Sequence, residues 1–248
     1  MIDVLAVIQA RMGSTRLPRK VLRPVNGRPL LWYLVQRVRS ARGIDGVVVA
    51  TTVEPADDEI EDFCRLADIP CFRGSEGDVL DRYYQAALAF PCRWIVRITG
   101  DCPLIDPAVI ERVVRAAVEN TADYTSNTNP PTYPDGMDVE AFTFDALSRA
   151  WKEAAFKYQR EHVTSFMTEH PEAFRCENVP CDEDLSSFRL TVDAPEDFAV
   201  VERIIQDLGA RGRLFGLGDI ISYVRSHPDI RALNAARARN ENYNIDDK

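Results

Sequence analysis

The sequence predicts an α/β protein built on a mainly parallel, doubly wound sheet with helices on both faces. Short apolar stretches of strand length alternate along the chain with stretches in which apolar residues recur at helical spacing. The first stretch, residues 4–8, is apolar at every position, which is typical of a strand buried on both faces. Charged side chains follow closely after several of these strands. Because such sheets bind ligands at the carboxyl ends of their strands, we expect the functional site there.

Each predicted element has its own sequence signal. Pro29 and Pro195 stand in the first turns of two predicted helices, where a residue without an N–H group is well tolerated. In chain order, we predict strands over residues 4–8, 46–51, 70–74 and 93–98, an exposed strand over 138–142, and a returning strand of the main sheet over 187–193. The predicted helices cover residues 29–38, 57–67, 78–89, 144–155, 194–208 and 217–226.

Composition limits the class of protein. The 248 residues are 46% hydrophobic and 28% charged, as in ordinary globular proteins, and no apolar run approaches the roughly 20 residues of a membrane span. The formal net charge of −9 disfavours nucleic acid as a partner. Six cysteines include no Cys-x-x-Cys pair, so we expect buried thiols and no zinc site. We therefore expect a cytoplasmic protein without membrane or nucleic-acid partners.

The chain is long enough for one large domain, which we place at residues 1–233. Residues 125–140 are rich in turn-forming residues and interrupt the alternation of strands and helices. We interpret them as the start of an inserted arm, about 125–160, that reaches over the site or between subunits. Residues 234–248 form a polar tail that we expect to be poorly ordered or packed on a partner.

A basic loop follows the first strand. It carries five cationic side chains within thirteen residues, although the chain as a whole is acidic: Arg11, Arg16, Arg19, Lys20 and Arg23. Small residues between them leave room for backbone amides to donate to an anion, so the loop is typical of a phosphate site. It has neither the Walker A spacing nor the three glycines of a dinucleotide-binding loop. The alternative is a basic surface loop.

Residues 8–22, Ile-Gln-Ala-Arg-Met-Gly-Ser-Thr-Arg-Leu-Pro-Arg-Lys-Val-Leu, resemble the signature of the cytidylyltransferase superfamily, whose members include the acylneuraminate and 3-deoxy-manno-octulosonate cytidylyltransferases. The closest resemblance is to the branch named for spore-coat polysaccharide biosynthesis. Arg19 stands where that branch commonly has Gly. The resemblance extends over most of residues 1–205. It implies a nucleotide-diphospho-sugar transferase architecture, with the inserted segment as a dimerisation arm and hence a homodimer.

The resemblance also assigns the nucleotide site. Residues 73–83 resemble the family's second substrate segment, which contacts base and ribose. By this likeness the nucleotide-binding residues are Gln9, Ala10, Arg11, Gly13, Ser14, Arg16, Lys20, Arg73, Ser75 and Asp101. Arg11, Arg16, Lys20 and Asp101 are the expected catalytic residues.

Two acids follow predicted strands far apart in the sequence. Asp101 lies in Gly-Asp-Cys-Pro-Leu-Ile, and Asp193 lies in Asp-Ala-Pro-Glu-Asp-Phe. A carboxylate at a strand end needs a cation or a donor, and Mg²⁺ prefers few carboxylates together with water and phosphate oxygens. Both motifs match family motifs whose acids bind the divalent ion, so we expect Mg²⁺ on this pair. The alternatives are a turn or cap acid for Asp101 and a helix cap for Asp193.

The acceptor side is less well defined. Residues 133–140 resemble a family segment that faces the acceptor, with Tyr133, Asp135, Asp138 and Glu140 as the expected contacts. The segment from 125 to 140 has no Arg or Lys that could bind a sugar carboxylate. A neutral acceptor, or carboxylate binding by another segment, therefore remains open. His162 lies in a further family motif, but a lone histidine on a helix is more often structural.

The sequence thus predicts a cytidylyltransferase that transfers CMP from CTP to a sugar hydroxyl and releases pyrophosphate, in surface polysaccharide or glycan biosynthesis. Alignment of reactants and neutralisation of phosphate charge are the main demands of this chemistry. The preference for CTP rests on resemblance alone. The alternatives are a nucleotidyltransferase for another base, a glycosyltransferase that uses a nucleotide sugar, and a non-catalytic nucleotide-binding subunit. The intact pair of acids disfavours a non-catalytic subunit. A glycosyltransferase would normally have an Asp-x-Asp metal pair, and the sequence has none in a loop after a predicted strand.

Overall fold

A computed structural model describes residues 2–210, 212 and 214–239. The strands are β1 Ile2–Gln9, β2 Pro24–Val25, β3 Arg28–Pro29, β4 Gly46–Thr52, β5 Cys71–Gly74, β6 Cys92–Thr99, β7 Tyr124–Ser126, β8 Glu140–Thr143 and β9 Cys176–Asn178. The α-helices are α1 Leu30–Arg39, α2 Asp58–Leu66, α3 Val79–Ala89, α4 Pro107–Asn120, α5 Phe144–Glu153, α6 Lys157–His162, α7 Ser165–Glu169, α8 Pro195–Gly209, α9 Leu217–Ser226 and α10 Pro228–Ala232. None of the described helices is both long and apolar enough to cross a membrane.

The described strands form a seven-stranded sheet in the order β5-β4-β1-β6-β8-β7-β9, and β2 and β3 form a separate hairpin. The half from β5 to β6 is parallel throughout. Strand β8 runs antiparallel to both β6 and β7, whereas β9 runs parallel to β7. The carboxyl ends of β1 and β6 therefore meet at one edge of the sheet, where the loops that follow them come together.

The sheet is buried on both faces, as the alternation in β1 illustrates. Val4, Ala6 and Ile8 belong to a large core cluster that includes apolar residues of α1, α4, α8 and α9. Leu5 and Val7 belong to a second cluster, which includes apolar residues of α3, α5 and α7. Two apolar clusters on opposite faces of one sheet confirm the predicted doubly wound arrangement.

Most predicted elements lie within about two residues of their predicted bounds. The predictions for the segments 138–142 and 187–193 were wrong in part. Strand β8 is not exposed, because it pairs between β6 and β7 and Phe142 is fully buried. Residues 187–193 do not form a strand of the main sheet; they run as an irregular segment with one isolated bridge between Arg189 and Asp135. An apolar alternation shows that a segment is half-buried but does not identify the strand beside it.

The expected tail divides at the limit of the described residues. Residues 234–239 pack on this chain instead of standing apart from it: Asn234 is 5% exposed and donates to Asp197. Residues 240–248 lie outside the described residues.

Candidate active site

The basic loop is held in place by its apolar residues. Met12, Leu17 and Val21 are buried in the core, so the cationic residues between them are directed away from it. The N–H of Met12 donates to the buried carboxylate of Asp57 at 2.7 Å, and the N–H of Ser14 donates to the Met12 carbonyl. Among the described residues, the N–H groups of Gly13 and Thr15 have no hydrogen-bond partner. These two amides are therefore available to an anion.

Lys20 is the point at which the separate motifs meet. Its Nζ lies 3.0 Å from Asp101 Oδ2 and 2.8 Å from Asp193 Oδ1. Arg16 is a further cation here, with its guanidinium 3.4 Å from the same oxygen of Asp193. Because the two carboxylates share one ammonium group, their oxygens lie within two hydrogen-bond lengths of each other. The structure thus brings together Arg16, Lys20, Asp101 and Asp193, four of the predicted residues.

Hydrogen bonding at the start of α8 shows that Asp193 does not cap this helix. The N–H groups of Asp193 and Ala194 both donate to Asp197 Oδ2 at 3.0 Å, so Asp197 caps the helix. The carboxylate of Asp193 instead accepts from Lys20 and from Arg189. Likewise, Asp106 and not Asp101 caps α4, through the N–H of Ala108. The alternative interpretation of the two acids as helix caps is therefore excluded.

Asp101 and Lys20 stabilise each other's charged forms. Burial alone would raise the pKa of Asp101, but Lys20 and a hydrogen bond from Thr99 outweigh burial and lower that pKa to about 2. Burial alone would lower the pKa of Lys20, but its two carboxylate partners raise it above the ordinary value. A positive charge on Lys20 beside the carboxylate of Asp101 suits a site for phosphate groups and a divalent cation.

An open cavity of ≈ 490 Å³ lies beside this cluster. Asp101, Asp193 and Arg16 line it, as do three of the predicted acceptor residues, Asp135, Asp138 and Glu140. Each of these three acids has an arginine partner. Arg189 Nη1 lies 2.6 Å from Asp135 Oδ2, Arg97 pairs with Glu140, and Arg239 pairs with Asp138. The cavity therefore presents paired charges along its walls.

The three acids differ in their ionisation. Burial raises the pKa of Asp135 to about 7, and the neighbouring Asp138 adds to this effect despite the opposing charge of Arg189. Burial also raises the pKa of Asp138. In contrast, Arg97 and hydrogen bonds from Thr164 and Tyr124 overcome burial and lower the pKa of Glu140. Asp135 can therefore both donate and accept hydrogen bonds near neutral pH, whereas Glu140 is an anion at that pH.

The other residues predicted for the nucleotide lie outside this cavity. Arg11 is exposed and pairs with Glu76 at 3.5 Å, and Arg73 is engaged by Asp58, Glu61 and two carbonyl groups. Ser75 accepts from the N–H of Asp78 at the start of α3. Gln9 accepts from Arg97 and Tyr83 at the end of β1. The remaining predicted positions lie along β1 and its loop: Ala10 is buried, Gly13 is exposed and Ser14 is partly buried.

Tyr133 faces away from the acceptor side. Its side chain is only 2% exposed and belongs to the core, whereas its carbonyl group accepts from Arg239. Among the predicted acceptor residues it alone does not line the cavity. His162 does line the cavity, and burial lowers the pKa of its imidazole.

Sequence reasoning missed Arg189, which joins the two sides of the site. Its guanidinium contacts Asp135, Asp193 and Asp197, and its side chain is only 8% exposed. Arg189, Thr191 and Asp193 all line the cavity. Their spacing of two residues in an extended segment was a signal that could have found Arg189. Arg239 was also missed, and nothing in the composition of the tail indicates its role.

Comparison with known proteins places this geometry in a family. Residues 5–214 match the family model described as cytidylyltransferase. The spore coat polysaccharide biosynthesis protein SpsF of Bacillus subtilis is 36% identical over 233 residues, which cover 92% of this chain and 96% of that protein.

Solved structures agree with this match. The structure of a cytidylyltransferase from Leptospira borgpetersenii is 33% identical, has a TM-score of 0.86, and is matched over 93% of this chain and 97% of that one. The structure of CMP:2-keto-3-deoxy-manno-octonic acid synthetase complexed with CTP has a TM-score of 0.60 and 18% identity, with 85% of this chain and 100% of that chain covered. This second likeness shows a shared fold, and it confirms the predicted nucleotide-diphospho-sugar transferase architecture.

Proposed function

The chain belongs to the cytidylyltransferase family, and from this premise we propose that it transfers CMP from CTP to a sugar hydroxyl and releases pyrophosphate. The acceptor hydroxyl oxygen attacks the α-phosphorus and forms a P–O bond, the bond to the bridging oxygen of the pyrophosphate breaks, and the hydroxyl proton passes to water. The relative named for spore coat polysaccharide biosynthesis supports a product used in building a surface polysaccharide or another glycan.

One observation carries the proposal: a cation of the basic loop is hydrogen-bonded both to the acid that follows β6 and to the acid that precedes α8. Lys20 holds Asp101 and Asp193 at 3.0 and 2.8 Å, although the three residues lie in separate motifs. A surface loop or a simple helix cap would not need this convergence. A triphosphate with its counterion does need it, because negative oxygens require cations and the metal requires carboxylates.

The donor set of the site fits a divalent cation such as Mg²⁺. Mg²⁺ is usually bound by one or two carboxylates together with water and substrate phosphates, and Asp101 and Asp193 supply two carboxylates at one place. Within residues 2–210, 212 and 214–239, no group of three or more His, Cys, Asp or Glu side chains is arranged to hold a metal. With fewer than three such side chains in place, the ion would take its remaining ligands from water and from oxygens of the substrate. When bound, the ion would neutralise phosphate charge and polarise the α-phosphate.

We assign the following roles to the chain's own residues. Arg16 and Lys20 neutralise phosphate oxygens and stabilise the charge that accumulates on the leaving pyrophosphate. The N–H groups of Gly13 and Thr15 donate to the phosphates. Asp101 and Asp193 hold the ion, and Asp197 keeps Asp193 turned towards Lys20 by satisfying the amides at the start of α8. Arg11 acts at the outer edge of the phosphate site, where it also meets Glu76.

The remaining nucleotide contacts are part of the same proposal. We assign Gln9 and Ala10, which precede the basic loop, and Ser14, which lies within it, to the triphosphate, and Ser75, at the start of α3, to the base. We give Arg73 a supporting role here, because its guanidinium already bonds two acids and two carbonyl groups. Asp135, Asp138 and Glu140 are proposed to meet the sugar, and Tyr133 acts there through its carbonyl group.

The assembly and the cellular location also belong to the proposal. We propose a homodimer, as expected for the family's inserted segment, here residues 125–160. We propose a cytoplasmic location because CTP is made and used there. Residues 1–233 are proposed to form one nucleotidyltransferase domain that is followed by the tail. Sedimentation velocity of the full chain tests the proposed homodimer. A monomer at every tested concentration would contradict it.

A pyrophosphate-release screen tests the proposed function. Each of the four ribonucleoside triphosphates is combined with a panel of neutral sugars, amino sugars and ulosonic acids, with and without Mg²⁺. We expect release only with CTP, a sugar and the metal together, and a CMP-sugar product by mass spectrometry. Release that prefers another triphosphate would replace CTP in the proposal. The absence of release with every pair would favour a nucleotide-binding subunit.

A further inference from the structure

The C-terminal segment, residues 234–239, lies beyond the part of the chain that matches the family model. It is nevertheless fixed to the centre of the site. The side-chain amide of Asn234 donates to Asp197 Oδ1 at 3.0 Å and to the Arg189 carbonyl at 3.2 Å. Arg189 in turn donates to the carbonyl of Ala238 at 3.3 Å. The segment is therefore bonded to the same two residues that orient Asp193.

Arg239 lies at the acceptor wall of the cavity. Its guanidinium donates to the Tyr133 carbonyl at 3.1 Å and forms an ion pair with Asp138. Arg239 and Asp138 both line the cavity, and their side chains are 16% and 31% exposed. An arginine has five N–H donors and a carboxylate has several lone pairs. After these two bonds, the pair keeps donors and acceptors that face the same space.

We propose that Arg239 is a specificity-determining residue for the acceptor and that, together with Asp138, it binds hydroxyl groups of the sugar. This inference rests on the proposed function. A hydroxyl group both donates and accepts, so it matches a fixed pair that offers both. A carboxylate of the sugar would instead have to compete with Asp138 for the guanidinium.

The charges in the rest of the cavity support hydroxyl recognition. Arg97 faces Glu140, Arg189 faces Asp135, and Arg16 faces Asp193. A sugar carboxylate at any of these places would therefore displace a protein carboxylate from its arginine and leave that carboxylate partly buried without a counter-charge, which is unfavourable. The sugar's hydroxyl groups need no such displacement.

Steady-state kinetics on the full chain test the proposal. Arg239→Gln removes the charge, Arg239→Lys keeps it without the planar fork, and Arg237→Gln is the matched control. Arg237 lies two residues away, pairs with Glu196 and does not line the cavity. We expect Arg239→Gln to raise the KM for the sugar at least about tenfold, with the KM for CTP within about twofold of the wild-type value. Arg239→Lys should recover part of the loss, and Arg237→Gln should behave as the wild type.

Other outcomes overturn the proposal in recognisable ways. An unchanged sugar KM in Arg239→Gln, or an equal rise for CTP, removes Arg239 from acceptor recognition. A loss confined to carboxylate-bearing sugars replaces hydroxyl binding with carboxylate binding.

A measurement that needs no turnover separates this inference from the proposed function. Saturation-transfer NMR follows binding of the same neutral sugars, amino sugars and ulosonic acids to the wild type, Arg239→Gln and Arg237→Gln. Sugar binding that is lost only in Arg239→Gln supports the inference even if no pyrophosphate is released. Equal binding to all three proteins, or binding to none of them, contradicts it.

Discussion

Lys20 and Asp193 are 173 positions apart in the sequence, yet Nζ of the first lies 2.8 Å from Oδ1 of the second. Lys20 belongs to the loop after β1, and Asp193 belongs to the irregular segment before α8. Asp101, which follows β6, joins them as the second carboxylate on the same ammonium group. The site is therefore held together by ionic contacts between three distant parts of the chain, and each part can be tested by itself.

Asp101→Asn should lower turnover at least about 100-fold, because it removes one of the two charges proposed for the metal. The fold should persist, since asparagine has nearly the same size and Lys20 keeps Asp193 as a partner. Steady-state kinetics and a thermal melt measure the two effects. The control is Asp182→Asn, which alters a carboxylate that is 89% exposed. A near wild-type kcat in Asp101→Asn would remove this acid from the mechanism.

Glu140→Gln should destabilise the protein by about 3–5 kcal/mol, because it leaves the guanidinium of Arg97 buried without its counter-charge. The side chains of Arg97 and Glu140 are only 15% and 9% exposed. Urea denaturation measures the change. Glu153→Gln is the control, since its pair with Arg149 is about half exposed and should matter little. Equal midpoints for the two variants would show that the buried pair does not contribute to stability.

The same pair predicts how stability depends on pH. Folding lowers the pKa of Glu140 below its ordinary value of 4.5. Its contribution to the free energy of unfolding is therefore fully present above about pH 4.5 and is lost as the pH falls through the lower pKa of the folded state. Unfolding free energies measured from pH 6 to pH 2 should show a loss in the wild type that is smaller in Glu140→Gln. Parallel curves for the two proteins would contradict this.

Arg19→Gly should keep full activity and give a melting temperature equal to or above that of the wild type. Arg19 has a φ of 61°, in the left-handed region that favours glycine, so glycine relieves backbone strain at this position. Its side chain is exposed and, within the described part of the chain, forms an ion pair with Glu59 alone. Glu59→Gln removes that ion pair without changing the backbone, so it separates the two effects. A loss of kcat/KM beyond about twofold in Arg19→Gly would give Arg19 a part in phosphate binding.

Gly136→Ala should cost more than about 1 kcal/mol and impair activity as well. Gly136 has a φ of 99°, and a Cβ there would lie 2.5 Å from the backbone nitrogen of Thr191. The loop that carries Asp135 and Asp138 would have to move away from the segment that carries Asp193. Gly218→Ala is the matched control, because that helical position has open space and should be neutral or slightly stabilised. Denaturation measures the stability of both variants and steady-state kinetics measures their activity. Wild-type values for Gly136→Ala would contradict the prediction.

Local patterns were sufficient for most of the fold. The apolar run of β1, the helical spacing of α1 and α9, and the proline at the start of α8 each predict an element from adjacent residues. The pairing of β8 with β6 depends on the order of strands in the sheet. The periodicity of apolar residues within one segment does not predict that order. For the same reason, residues 187–193 were expected in the sheet although they pass beside it.

The site was predictable where a recognisable motif carries the residue. Lys20 and Asp101 lie in motifs that follow strands, Asp193 lies in a motif that precedes α8, and the structure brings the three into contact. Arg73 also lies in a motif, but it forms ion pairs with acids of α2. The sequence does not show which acid will pair with a given guanidinium. Arg239 is distant from every motif and reaches the cavity only through the packing of the tail.

The bond from the Met12 amide to the buried carboxylate of Asp57 fixes the shape of the basic loop without any ligand. Since the loop is already ordered, the free energy of nucleotide binding does not have to offset a loss of conformational entropy in the loop. Calorimetric titration with CTP should then show a small change in heat capacity, as for a rigid receptor. Asp57→Ala, which frees that amide together with the N–H and hydroxyl groups of Thr52, should make the entropy of association markedly more unfavourable.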